Sequence, residues 1–328
     1  MICATLGLFE ALVAAPFGGA GTSEEFVKPM STYTLHPETK LGPVHLTVSD
    51  MARSLNFYRD VLGFRLLEQS ADRVSLTADG ALPILLLTEV PGARAGFSRN
   101  TGLYHFAVLY PERADLARAL KRLWDSGYPL GGCSDHAVSE ALYLDDPDGN
   151  GIELYRDRPR SAWPMRDGKV SMTTDPLDLD DLVGEAASDE GEGGGEGPWD
   201  GLPKGASIGH IHLHVVDLEK SAAFYRDALG FEVQARYRQG ALFLSAGGYH
   251  HHLGINVWAE RMRSPQVENV AGLRSFAVCV PDAAELDRLE GQLEAAGAAF
   301  TRRDGAIFVD DPSENTVILQ EGRPAGGL

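Results

Sequence analysis

Six of the ten histidines in this chain fall in two short phrases, GHIHLHV (His210, His212, His214) and GGYHHHLGINVW (His250, His251, His252). Another, His105, lies in GLYHFAVL. Neutral imidazole nitrogens and carboxylate oxygens are donors that divalent transition metals take from proteins, and imidazole also exchanges protons near neutral pH. Glu153 is a candidate carboxylate donor. It lies in GIELY between Ile152 and Leu154, and because successive strand residues alternate, it points to the face opposite those apolar neighbours. A carboxylate on the inner side of a sheet needs a partner, since a buried unpaired charge is expensive. In HHLGINVW the same alternation puts His250 and His252 on the face of Gly254, Asn256 and Trp258, opposite Leu253, Ile255 and Val257, and it leaves His251 a surface or structural place. A run of three histidines is weak ground for a metal on its own.

The elements that must position these groups are repeated. Residues 45–66, HLTVSDMARSLNFYRDVLGFRL, match residues 212–233, HLHVVDLEKSAAFYRDALGFEV, without gaps. In each copy an alternating run reads as a strand, Asp50 or Asp217 sits near a helix start, and Gly63 or Gly230 suits a helix end. Tyr58 and Tyr225 fall on the helix stripe that faces the sheet, where core packing is their expected role. Short strands follow each helix, RVSLTA and PILLLTE in the first copy, ALFLSA and LGINVW in the second. Fainter copies begin at TGLYHFAVLYPERADLARALKRLWDSG and AGLRSFAVCVPDAAELDRLEGQLEAAG, and end on DDPDGNGIELY and DDPSENTVILQ. The reading is an α+β protein of four βαβββ modules in two cupped domains.

Residues 41–157 hold the first two modules and 207–322 the last two, with an acidic, glycine-rich linker over 158–206. Its stretch from about 176 to 204 is expected to form no packed element, because its charge and glycine content bury too little surface. Residues 1–40 form an N-terminal extension. Its apolar start has no basic residue before Lys28 and is interrupted by Glu10, which argues against an export signal, and it is too broken for a membrane span. Met30 reads as a plausible true start. The net charge of −18 opposes binding to nucleic acid or anionic lipid, and Cys3, Cys133 and Cys279 are too few and scattered for a disulfide framework or a thiolate zinc site. The cytoplasm is the expected location.

The βαβββ repeat, the FYRDVLGF phrase and the DPDGNGIELY ending resemble the vicinal oxygen chelate superfamily, which includes glyoxalase I, bleomycin- and fosfomycin-resistance proteins and type I extradiol dioxygenases. From about Leu41 onward the chain is similar to its two-domain catechol 2,3-dioxygenase group, with GLYHFAVL, DHAVSEALYLDDPDGNGIELY, GHIHLHV and GGYHHHLGINVW as the telling phrases. The resemblance implies that two modules pair into a cupped sheet and that first-strand histidines hold a metal with a last-strand glutamate.

Transferred position by position, the first strands offer His45, His105, His212 and Ser275, and the last strands offer Leu87 or Glu89, Glu153, the HHHLG run and Ile318. Sequential pairing of modules one and two gives His45, His105 and Glu153. Pairing the two central modules gives metal ligands His105, Glu153 and His212, with His250 and His252 as catalytic acid–base candidates. The central set is preferred because it gathers the ligand-type residues in one pocket, and it leaves His45 a hydrogen-bonded strand residue. His136, before AVSEALYL, reads as a turn cap. Two imidazoles and one carboxylate leave coordination positions open, which suits Fe(II), with Mn(II) as the alternative. The implied activity is extradiol cleavage of a catechol, a small aromatic diol, with O2, and assembly as a homo-oligomer is compatible with it. A glyoxalase-like isomerase or lyase ranks second, since it calls for a fourth ligand that the HHHLG run does not supply as a glutamate. A metal-free binding protein ranks third.

Overall fold

The computed structural model describes residues 33–94, 101–188, 201–238, 240–258 and 269–322. Module one contributes strands β1 (Lys40–Val48), β2 (Arg65–Gln69), β3 (Arg73–Thr77) and β4 (Pro83–Glu89); module two contributes β5 (Gly102–Leu109), β6 (Gly132–Asp135), β7 (Ser139–Asp145) and β8 (Gly151–Asp157). A small hairpin, β9 (Met165–Arg166) and β10 (Lys169–Val170), follows. Module three supplies β11 (Ser207–His214), β12 (Glu232–Tyr237), β13 (Ala241–Ser245) and β14 (Leu253–Asn256); module four supplies β15 (Gly272–Val280), β16 (Phe300–Arg303), β17 (Ala306–Asp310) and β18 (Thr316–Glu321). The helices are α1 (Met51–Leu55), α2 (Arg113–Ser126), α3 (Leu179–Ser188), α4 (Leu218–Ala223) and α5 (Ala283–Ala295).

Two eight-stranded sheets result, ordered β16-β17-β18-β15-β1-β4-β3-β2 and β12-β13-β14-β11-β5-β8-β7-β6. The outer modules, one and four, make the first sheet, and the central modules, two and three, make the second. Each sequence half, 41–157 or 207–322, therefore gives one module to each sheet. Central pairing, preferred from the clustering of histidines, is the arrangement observed, through antiparallel β5 and β11.

The expected alternation holds along the first strands. Val44, Leu46 and Val48 of β1 and Ile211 and Leu213 of β11 are buried in the main core. Asp50 and Asp217 cap α1 and α4 by accepting backbone N–H bonds. Each of these helices widens into a π turn, Asn56–Val61 and Phe224–Ala228, and ends before a left-handed glycine, Gly63 or Gly230. The π turns bury Tyr58 and Tyr225, as the core reading expected, and both hydroxyls also reach a carboxylate in the next module. Tyr58 donates to Asp146 at 2.8 Å and Tyr225 to Asp311 at 2.9 Å. Because the two modules of each half lie in different sheets, this repeated bond joins the two sheets twice.

The acidic segment departs from its expectation. Residues 179–188 form α3, which buries Leu182 in the main core. Arg113 of α2 holds the segment in place: it pairs with Glu140 through two nitrogens and also reaches Asp181 and Glu185. Leu182 in the core, with Leu179, Val183 and Ala186 packed against it, and one arginine therefore dock a helix whose composition suggests solvation; residues 189–200 lie outside the described ones. At the other end, Tyr33 donates to Glu285 and Leu35 N–H to the Gly230 carbonyl, so the last part of the 1–40 extension packs on modules three and four, whereas 1–32 is not among the described residues. Among the described residues no helix is long and apolar enough to cross a membrane.

Candidate metal centre

A row of paired residues runs across the concave face of the central sheet: His210 on β11 faces Ala107 on β5, Ala107 pairs with Glu153 on β8, and Glu153 faces Tyr143 on β7. The middle member has only a methyl group. His210 can therefore reach across Ala107 to Glu153, and its Nε2 lies 2.9 Å from Oε2. His105, two residues before Ala107 on β5, brings its Nε2 to 3.1 Å from the same oxygen. His105, Glu153 and His210 are all buried, and their ligand atoms lie within 4.8 Å of one another.

His212 turns the other way. It pairs directly with His105, but its neighbour on the opposite side is Gly254, where a Cβ would lie 2.8 Å from the His212 ring. The missing side chain at Gly254 gives the ring its space, and Nε2 meets the Asn256 amide at 3.0 Å. Asn256 also bonds Nδ1 of His214 at 2.7 Å, so both of these histidines are tied to β14. The shift in register between Ile208 and His210 sets the strand's phase here, and it contains Gly209, where a Cβ would fall 1.8 Å from the Tyr155 hydroxyl.

The protonation states fit a cation. Burial alone would raise the Glu153 carboxyl, but the His210 and His105 imidazoles beside it outweigh that and hold it well below the usual carboxylate range. Burial pushes His210 down to about 4 despite the carboxylate. The combination is an ionised carboxylate with a neutral imidazole. The His105 Nε2 approach is too poorly aligned to be a hydrogen bond, and both it and His210 Nδ1 are buried without a partner among the described residues. An unmet donor atom directed at a buried carboxylate is a cost that a bound divalent ion would remove.

The HHH run does not follow strand alternation, because β14 begins only at Leu253. His250 is fully buried, with Nε2 2.8 Å from Asp157 Oδ1 and Nδ1 2.8 Å from His251 Nδ1. His252 accepts the Ala246 backbone N–H at Nδ1 and packs against Tyr249. His251 is the one that stands over the centre, its ring centroid 4.2 Å from that of His210. Burial and the neighbouring imidazoles hold His251 well below its ordinary range. His45 belongs to the other sheet, where Nε2 bonds the Thr88 hydroxyl at 2.8 Å.

Sequence reasoning passed over His210, His251, Tyr143 and the partner of His136. His136 is bonded at Nδ1 to the Thr173 carbonyl and at Nε2 to the Tyr143 hydroxyl, both at 2.7 Å. Tyr143 had a readable signal: counting back from the DDPDGN turn in SEALYLDDPDGNGIEL sets it opposite Glu153. Trp163, Val170 and Met172, which flank or belong to the β9–β10 hairpin, form a second apolar cluster with Val138, Ala241 and Phe243, and the Phe243 ring lies beside those of His212 and His251.

Two cupped sheets of βαβββ modules, the central one carrying a buried His–Glu–His group that could hold a metal ion, define a protein of the vicinal oxygen chelate fold. A profile of the glyoxalase/bleomycin resistance protein/dioxygenase superfamily matches residues 40–154 and 207–319, and the chain belongs to that superfamily. It is similar to a catechol-2,3-dioxygenase of Bacillus subtilis (strain 168), with 44% identity over 288 residues, covering 87% of this chain and 98% of the relative. It is also similar to biphenyl-2,3-diol 1,2-dioxygenase 3 of Rhodococcus globerulus, with 31% identity over 145 residues, 42% of this chain and 75% of the relative. Likeness over nearly the whole chain to the first of these groups it with the two-repeat extradiol dioxygenases. In fold it is similar to glyoxalase I of Zea mays, with a TM-score of 0.50 at 15% identity, covering 87% of this chain and 92% of that one.

Proposed function

We propose that this protein is an iron(II)-dependent dioxygenase that opens the ring of catechol or a substituted catechol with O2, in the breakdown of aromatic compounds. The observation that carries the proposal is the buried convergence of His105, Glu153 and His210 on one point. In this reading His210 takes the place given to His212 from the repeat, because His210 crosses Ala107 toward Glu153 while His212 is bonded to Asn256. Two imidazoles and one carboxylate leave neighbouring coordination positions open, and a bound iron(II) would supply the capacity to take both vicinal oxygens of the diol and O2.

The chain's own residues do the rest. His251, its ring tilted against that of His210, accepts a hydroxyl proton from the diol and holds it at an imidazole nitrogen. On the far side of Glu153, the Tyr143 hydroxyl, pushed well above its ordinary range by burial, stays protonated. Since the carbonyl of Thr173 only accepts, His136 donates from Nδ1, and in that tautomer its Nε2 accepts the Tyr143 proton. Tyr143 then presents its oxygen to the site with a fixed orientation. The apolar cluster of Trp163, Val170, Met172 and Phe243, with Phe243 beside His251, lines this side of the site with non-polar surface.

The test is metal analysis of protein purified without air, followed by spectra after adding catechol and O2. Bound iron and a yellow ring-fission product are expected. Iron-free protein that turns over a glyoxalase substrate instead would replace this reading with an isomerase.

A further inference from the structure

We propose that Asp157 and His250 are positioning residues that set the tautomer of His251, and thereby make its Nε2 the proton-accepting nitrogen beside the metal centre. The inference rests on the reading of this site given above, and deepens it. The chain of contacts has a defined direction. Asp157 Oδ1 lies 2.8 Å from His250 Nε2, and a carboxylate oxygen only accepts, so that nitrogen carries the hydrogen. In the tautomer with its hydrogen at Nε2, the His250 ring has its lone pair at Nδ1. That lone pair faces His251 Nδ1 at 2.8 Å, so the hydrogen between the two rings belongs to His251. His251, protonated at Nδ1, is left with a bare Nε2.

The relay is held at its root. The second oxygen of Asp157 accepts the Tyr249 hydroxyl at 2.9 Å, and Tyr249 meets the Tyr155 hydroxyl at 2.7 Å. Glu153, Tyr155 and Asp157 occupy alternate positions of β8, so one face of one strand carries the metal-ligand candidate, the tyrosine that braces the relay and the carboxylate that orients it. The β8 strand thus couples the placement of Glu153 to the orientation of His251. Nothing in the HHH run itself prescribes this: without Asp157, either nitrogen of His250 could carry the hydrogen.

The direct test is a two-bond proton–nitrogen correlation spectrum of the histidine side chains in the full-length protein loaded with Zn(II) as a diamagnetic ion. The expected result is His250 protonated at Nε2 and His251 protonated at Nδ1, whether or not the protein cleaves catechols; His251 protonated at Nε2 instead would overturn the proposal. In the iron-loaded enzyme, Asp157→Asn and His250→Gln should each lower kcat roughly 10–100-fold at unchanged iron content and with KM within about twofold. The double variant should lose no more than the worse single one, because both substitutions cut one chain of hydrogen bonds. Additive losses, or variants with wild-type kcat, would show that the two residues only pack the loop. If both variants failed to fold, the spectrum of the unaltered protein would still decide. Absence of catechol cleavage with the expected tautomers would remove the functional reading and leave the tautomer assignment standing.

Discussion

His210 Nε2 and Glu153 Oε2 lie 2.9 Å apart although 57 residues separate them and their strands come from opposite halves of the sequence. Their meeting depends on the antiparallel join of β5 and β11 and on the small side chain of Ala107 between them. Both conditions are open to mutation.

At equal folding, His105→Ala, Glu153→Ala and His210→Ala should each reduce iron to background, because two remaining donors do not hold a labile divalent ion. His212→Ala and His45→Ala should keep it, since the first ring is bonded to Asn256 and the second to Thr88 in the other sheet. Metal content per chain is the measurement. Iron lost from His212→Ala but kept by His210→Ala would restore His212 as the third ligand.

The bond between Tyr58 and Asp146 and its counterpart between Tyr225 and Asp311 join the two sheets. Tyr58→Phe and Tyr225→Phe should each cost about 1.5–3 kcal/mol, the usual worth of a hydrogen bond to a charged group. The two losses should add, as the sites share no partner. Urea unfolding of both single variants and the double one measures this; losses below about 0.5 kcal/mol would mean that the hydroxyls contribute little beyond packing.

Arg113→Ala should destabilise the protein by roughly 3 kcal/mol or more, because it strands the buried Glu140 carboxylate, whose other cationic neighbour, Arg158, stands 3.5 Å away. It should also release α3, detectable as faster proteolysis within residues 179–188. Glu140→Ala added to Arg113→Ala should recover part of the stability without restoring protection of α3. Unchanged proteolysis in Arg113→Ala would assign the docking of α3 to its apolar contacts alone.

Burial, with Arg274 and Arg73 nearby, lowers His45 from 6.5 to about 4. The folded state therefore favours the neutral ring and the unfolded state binds the proton more readily. Stability from this group is fully present above pH 6.5 and is lost as pH falls through about 4. His45→Gln, which cannot titrate, should lose less stability than the unaltered protein between pH 7.5 and pH 4.5, as read from urea midpoints. Equal losses would show that His45 is not responsible.

Much of the architecture was legible before any coordinates. The gap-free match of residues 45–66 to 212–233 implied repeated modules, and strand alternation around Ile152 and Leu154 put Glu153 on the inner face, because both signals depend only on neighbours along the chain. The crowding of histidines into the central modules even favoured the pairing that the sheets adopt. Alternation could not choose between His210 and His212, which share a face of β11. That choice came from what stands beside each on the adjoining strands, Ala107 next to one and Gly254 next to the other. Nor could it place His251, because residues 250–252 precede β14 and have no strand period. The order of α3 was hidden for a related reason: composition sums over a segment, whereas docking depends on the one apolar face of Leu179, Leu182, Val183 and Ala186 and on Arg113 of a neighbouring helix. Periodicity along a chain specifies which face a side chain takes, but which side chains meet on that face is decided by register between strands distant in sequence.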